Sequence, residues 1–324
     1  MTPLRTNLRI LAIVTATALP AALPGCISRI TEPEPVYPVL RPVISEAATP
    51  VVPLTPEASD GHRGEGFLRK PPGEGPFPAV LLIHGGLPRR STEQIRAYTV
   101  GTHASRFLAA GYVVAVITYR GRDVAPRDQT PETVLDCVAA VEALRAMSFV
   151  DEASIAVSGA SGGGDLALEV ASATEVAATV PEEPATVLMA GLVNENSEAG
   201  RGADYLALYH AQPDHSTFLS KLARIDSPIL IITGTHTTHS GINQWNEAIL
   251  VPALRAGGKS VEVITFPGEP HTFSFSSTPE QTPRPAAAKK AFDDIVSFLQ
   301  RHLPTLPRPL DPRLVKYEPI GGGR

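Results

Sequence analysis

Short, near-continuously apolar runs alternate along this chain with stretches of helical periodicity. The runs are Ala79–Ile83, Val113–Thr118, Ile155–Ser158, Thr186–Ala190, Ile229–Thr233 and Val261–Phe266. Strands without a polar face must be covered on both faces, as in a parallel sheet. The helical stretches lie at about 93–109, 131–146, 162–174, 242–256 and 286–301. Thr130-Pro131 supplies a capping side chain followed by a first-turn proline, and Gly111 and Gly257 stand at helix ends. The alternation predicts an α/β fold, a mostly parallel sheet with helices on both faces. Ligands of such sheets bind beyond the carboxyl ends of the strands.

The third run ends in Gly159-Ala160-Ser161-Gly162-Gly163, a G-x-S-x-G where strand gives way to helix. Small neighbours allow a turn tight enough to hold Ser161 up at the sheet edge, ready to act as a nucleophile. A serine hydroxyl needs a base, and the base needs an orienting group. His271 is the candidate base, in a loop directly after the last run. The backbone N–H groups of Gly162 and Gly86 are the candidate oxyanion donors, with Leu87 next to Gly86. His84 is expected to brace the loop His84-Gly85-Gly86. His236 and His239 form an H-x-x-H, but no third ligand accompanies them, so no metal site is expected.

The chain has 324 residues with a net charge of -5, 43% hydrophobic and 19% charged, and so has ordinary globular composition. No basic block or basic–aromatic stripe is present, which argues against nucleic acid as a partner. Arg5 and Arg9 precede an apolar stretch, Ile10 to Ala22, too short for a comfortable span. It runs into Leu23-Pro24-Gly25-Cys26, which resembles a bacterial lipobox with Cys26 as the lipidated residue. The expected layout is a signal over 1–26, a proline-rich tether over 27–64, a catalytic domain over 65–303 and a poorly ordered tail over 304–324. Export and anchorage to a bacterial membrane follow as expectations. Cys137 falls in a helical stripe with Val134, Val138, Val141 and Leu144 and reads as a buried structural thiol.

Together, Leu82-Ile83-His84-Gly85-Gly86, Tyr119-Arg120-Gly121, Val150-Asp151, the G-x-S-x-G turn, Leu230–Gly234 and Pro267-Gly268-Glu269-Pro270-His271-Thr272-Phe273 resemble the α/β-hydrolases of the dienelactone-hydrolase and prolyl-oligopeptidase branch. The resemblance covers about residues 65–302. It implies a serine hydrolase acting on an ester or peptide acyl bond, with no metal or organic cofactor and a small acyl or peptide substrate. Prolyl oligopeptidases usually carry a propeller ahead of this domain. The stretch before residue 65 is too short for one, which favours small acyl substrates.

The resemblance also implies an aspartate after Gly234, yet Thr237 stands at that place. Some α/β-hydrolases carry the acid after the preceding strand. With that strand at Thr186–Ala190, the expected acid is Glu195, with Glu198 a poorer choice and Glu269 serving a turn. A catalytically weakened or non-catalytic binding protein, and an acyltransferase, are the alternatives. Residues 194–226, with Tyr205, Leu208, Tyr209 and Phe218, are expected to cap the site.

Overall fold

The computed structural model describes residues 28–30, 40–86, 90–121, 130–194, 197–236, 239–275 and 285–319. In chain order the strands are β1 (Ser28–Ile30), β2 (Leu40–Ile44), β3 (Val52–Leu54), β4 (Gly66–Arg69), β5 (Phe77–Ile83), β6 (Val113–Ile117), β7 (Val150–Ala160), β8 (Ala178–Glu182), β9 (Ile229–Gly234), β10 (Val261–Phe266) and β11 (Val315–Pro319). The helices are α1 (Thr92–Val100), α2 (Thr102–Ala109), α3 (Pro131–Arg145), α4 (Gly162–Ala173), α5 (Tyr205–His210), α6 (Ser216–Arg224), α7 (Ser240–Trp245), α8 (Val251–Ala256) and α9 (Pro285–His302).

Among the described residues, nine strands form one sheet in the order β1-β10-β9-β8-β7-β5-β6-β4-β3. It is parallel from β1 to β6 and antiparallel at the β6–β4–β3 edge. The central strands are buried along their whole length, which is why they lack an alternating pattern. One core, with Leu81, Val157, Leu166 and Trp245, fills one side. The other, with Val80, Phe107, Phe292 and Phe298, fills the opposite side. The α/β-hydrolase architecture expected from the sequence is the architecture observed.

Several elements depart from expectation. The stretch 93–109 is two helices, split at Gly101, which ends α1 and begins α2. The stretch 242–256 is α7, a π-helical turn over Asn246–Leu250, then α8. Pro252 lacks an N–H for the helical ladder, and the wider turn precedes it. The expected strand at Thr186–Ala190 is not a strand. The sheet position between β7 and β9 belongs to β8, Ala178–Glu182, which contains Pro181. Residues 188 and 189 are instead held by the buried carboxylate of Asp165, which accepts from Leu188 N at 2.7 Å and Met189 N at 3.1 Å.

The segments expected as tether and tail also contribute strands. β11 pairs antiparallel with β2, Val315 facing Ile44, and β3 pairs with β4. Arg69 is 1% exposed and pins this end, donating to Ile44 O (2.8 Å), Thr49 O (3.0 Å) and Thr49 Oγ1 (2.6 Å). A buried guanidinium needs such acceptors. The segment 197–226 folds into α5 and α6. Tyr209 and Phe218 pack on Trp245, with ring centroids 5.9 and 5.6 Å away. Among the described residues, no helix is long and apolar enough to cross a membrane.

Candidate active site

The carboxyl end of β7 passes through Ser161 directly into α4. Ser161 has φ 56° and ψ -120°, a conformation that costs of order 1–3 kcal/mol for a side-chain-bearing residue. Its backbone is overdetermined. Ser161 N donates to Glu182 O at 2.9 Å, while Ser161 O accepts from Gly164 N, Asp165 N and Ala185 N at 2.9–3.1 Å. The glycines of the motif are required by close approach. A Cβ on Gly159 would lie 2.0 Å from Gly163 O, and one on Gly85 would lie 2.4 Å from Ala160 O. The glycine loop after β5 therefore rests on the turn itself. Ser161 is partly exposed at this edge.

Gly162 opens α4, where backbone N–H groups lack helical acceptors, the placement expected of an oxyanion donor. Gly86 follows Gly85 at the exposed lip of the loop, with φ 75°. Leu87 lies outside the described residues. His84 braces this loop as expected. Its imidazole stacks on Tyr119 at 4.3 Å, and Tyr119 Oη donates to His84 O at 2.5 Å. Burial pushes the His84 imidazole down to about 3, so it is neutral at physiological pH and no second base.

His271 follows β10, and its Nδ1 lies 2.9 Å from Glu183 Oε2. Glu183 directly follows β8 and is fully buried. Its Oε1 accepts from Asn243 Nδ2 at 2.8 Å and from Gly234 N at 3.3 Å, and its Oε2 from Thr272 N. A buried carboxylate is stable only with partners of this kind. Ser161, Glu183 and Thr272 are the side-chain-bearing residues at positive φ among the described residues, and all three belong to this site. Strain gathered in one place is a mark of a functional site.

Glu195 and Thr237 both lie outside the described residues, as does Cys26. The carboxylate beside His271 is that of Glu183, which the sequence reading did not single out. Glu183 follows β8, the strand that precedes β9 in the chain and neighbours it in the sheet. The residue differs because the strand lies eight positions earlier than expected, at Ala178 rather than Thr186. The available signal was Pro181-Glu182-Glu183-Pro184, two carboxylates ending an apolar run and bracketed by prolines.

Glu182 and His239 complete the surroundings. Burial pushes the Glu182 carboxyl up to about 7, aided by the charge of Glu183 and opposed by hydrogen bonds from Ser274 and the charge of His271. His239 lies against the candidate base. Its ring packs on His271, centroids 3.9 Å apart, while His236 is exposed. Burial, then the charge of His271, hold the His239 imidazole down to about 4. Among the described residues, no group of three metal-type side chains gathers. Cys137 is fully buried, which pushes its thiol up and makes it unreactive.

Residues 98–305 match the model of the prolyl oligopeptidase family. A comparison with curated proteins finds no match. Among solved structures, similar folds include an esterase of Pyrobaculum calidifontis, with 22% identity, a TM-score of 0.54 and coverage of 78% of this chain and 85% of that one. Carboxyl esterase 2 of the fungus Tuber melanosporum is 19% identical, with a TM-score of 0.58 and coverage of 80% and 90%. A thermostable esterase of Pseudomonas putida is 16% identical, with a TM-score of 0.57 and coverage of 81% and 86%.

Proposed function

Because this chain belongs to the prolyl oligopeptidase family and is a serine hydrolase of α/β-hydrolase fold, we propose that Ser161, His271 and Glu183 are its catalytic triad and that it cleaves small acyl esters. Ser161 Oγ attacks the acyl carbonyl, and His271 Nε2 takes the hydroxyl proton. Glu183 holds the Nδ1–H and stabilises the imidazolium by its charge. The oxyanion is received by Gly162 N and Gly86 N. His271 returns the proton to the departing alcohol. A water molecule, activated by the same imidazole, then releases the acid and frees Ser161.

The observation that carries this reading is the 2.9 Å approach of His271 Nδ1 to Glu183 Oε2. It supplies the acid that Thr237 does not, and so speaks against a non-catalytic binding protein. Water and an alcohol can meet the same acyl-enzyme, so transferase activity would show as ester exchange in added methanol. The family match leaves peptide bonds as a second substrate class, since its description is of oligopeptidases.

The test is labelling by a fluorophosphonate probe together with turnover of p-nitrophenyl acetate. Wild type should do both, and Ser161→Ala and His271→Ala neither. Failure of folded wild type to label or turn over would overturn the reading. We further propose that Cys26 is lipidated and that the protein is exported to a membrane surface, supported by the basic-then-apolar run before it. Incorporation of labelled palmitate that survives Cys26→Ala would refute this.

A further inference from the structure

A recess lies on the α1–α2 side of the sheet, behind the glycine loop. It has a volume of about 200 Å³. Its floor is Leu82 and Val116, and its walls carry the rings of His84, Tyr98, His103 and Phe275. Ser161, Glu183 and His271 are not among its lining residues. A cavity of about 150 Å³ lined by apolar groups takes a benzene ring, so this one holds a single ring with a small substituent.

Of the polar residues lining the recess, among them Gln94, Thr102 and His103, the most deeply buried is His84. The residue is 2% exposed, and among the described residues its Nε2 has no hydrogen-bond partner. The tautomer follows from the other nitrogen. Nδ1 lies 3.2 Å from Gly85 O, which can only accept, so Nδ1 carries the proton. The Tyr119 hydroxyl spends its own proton on His84 O. Nε2 therefore bears a lone pair, and a buried acceptor without a donor costs about 1–3 kcal/mol. His103 is 7% exposed and held neutral by burial, which pushes it down to about 3. Its ring lies 4.2 Å from Phe275. The described lining of the recess thus offers aromatic walls, no Lys, Arg, Asp or Glu, and buried unpartnered ring nitrogens on both His84 and His103.

We propose that this recess is a binding site for a neutral, single-ring phenol, whose hydroxyl donates to His84 Nε2 while its ring packs against Tyr98, His103 and Phe275. Aromatic walls favour a ring in edge or offset contact over an aliphatic alcohol of equal size. An anion is disfavoured, because the described residues lining the recess include no Lys or Arg. The site is independent of the hydrolase reading, since no triad residue takes part in it.

The test is direct binding, read by fluorine NMR of 4-fluorophenol and by the nitrogen resonance of His84 Nε2. Saturable binding is expected in wild type and, unchanged, in Ser161→Ala. Phenol should shift the Nε2 resonance, whereas fluorobenzene, lacking the donor, should leave it in place. Ala104→Leu, which fills the recess, should weaken binding at least tenfold. Val116→Leu serves the same purpose if Ala104→Leu melts early. Absence of saturable binding to wild type, equal binding by a folded filled variant, loss of binding in Ser161→Ala, or an Nε2 shift with fluorobenzene as large as with phenol would each overturn the proposal.

Discussion

Glu182 and Ser274 are joined twice, Ser274 N donating to Oε1 at 2.9 Å and Ser274 Oγ to Oε2 at 2.5 Å. The next residue, Glu183, receives Thr272 N and meets the ring of His271, earlier in the same turn. Two consecutive carboxylates at the end of β8 therefore hold the whole turn 271–274. Glu183 faces the imidazole, and Glu182 anchors the backbone behind it. The buried edge of the sheet thus fixes where the base stands before any substrate arrives.

Glu183→Gln should retain the fold and lower kcat by ~10³–10⁴ with little change in KM, because the amide holds the imidazole without charge and favours the wrong tautomer. Steady-state kinetics on p-nitrophenyl acetate check this. A loss under tenfold would remove Glu183 from the triad.

Glu182 carries a pH signature. Its folded value of about 7 is above the ordinary 4.5, so the folded state holds an extra proton between those values. Its contribution to stability is full below about pH 4.5 and is lost as pH rises towards 7. Asp165, also pushed up to about 7 by burial, acts in the same sense. Glu182→Gln should therefore lose less Tm between pH 5 and pH 8 than wild type, by roughly 2–4 °C. Melting curves at the two pH values decide it.

His239 packs on the ring of His271 at 3.9 Å, which under the proposed triad makes it a positioning residue. His239→Ala should lower kcat on the order of tenfold, short of the ~10²-fold that a 1 Å displacement can cost. His239→Phe keeps a ring there and should restore most of the rate. Equal losses in both variants would assign His239 a role through its nitrogens instead.

Asp136 is 2% exposed and receives Arg120 N at 2.7 Å and the Arg120 guanidinium at 2.8–3.1 Å. The pair ties the end of β6 to α3. Asp136→Ala leaves Arg120 with the exposed partners Asp60 and Glu132 O and should destabilise by about 3 kcal/mol in denaturant unfolding.

Gly159→Ala should destabilise by more than ~4 kcal/mol, since its methyl would meet the Gly163 carbonyl at 2.0 Å with no side chain able to yield. A soluble variant with wild-type Tm would contradict the packing of the turn.

The residues legible in sequence were those whose role depends on local chain geometry. Ser161 and its glycines are specified by one strand-to-helix turn, and His271 by its place after a buried strand. The proposed acid, Glu183, was not legible in the same way. Its partner is 88 residues distant, counting from Glu183 to His271, and identifying it required knowing which apolar run entered the sheet. Pro181 made Ala178–Glu182 look unlike a central strand, and the apolar stretch 186–190 was the more regular pattern. The strands at the two ends were obscured for a similar reason. Proline-rich segments carry little periodicity, and the β2–β11 ladder depends on pairing between residues near opposite ends of the chain.

Sequence alone determined the layered α/β architecture, because strands covered on both faces must be apolar throughout, and it determined the nucleophile turn, because only glycines tolerate its contacts. Tertiary structure decided which carboxylate lies beside His271, that His239 lies on the same ring, and that His84 Nε2 is buried beside a recess. Each of these is a relation between segments far apart in the chain. Long-range contacts of this kind are set by how the sheet is packed, and no local pattern encodes them.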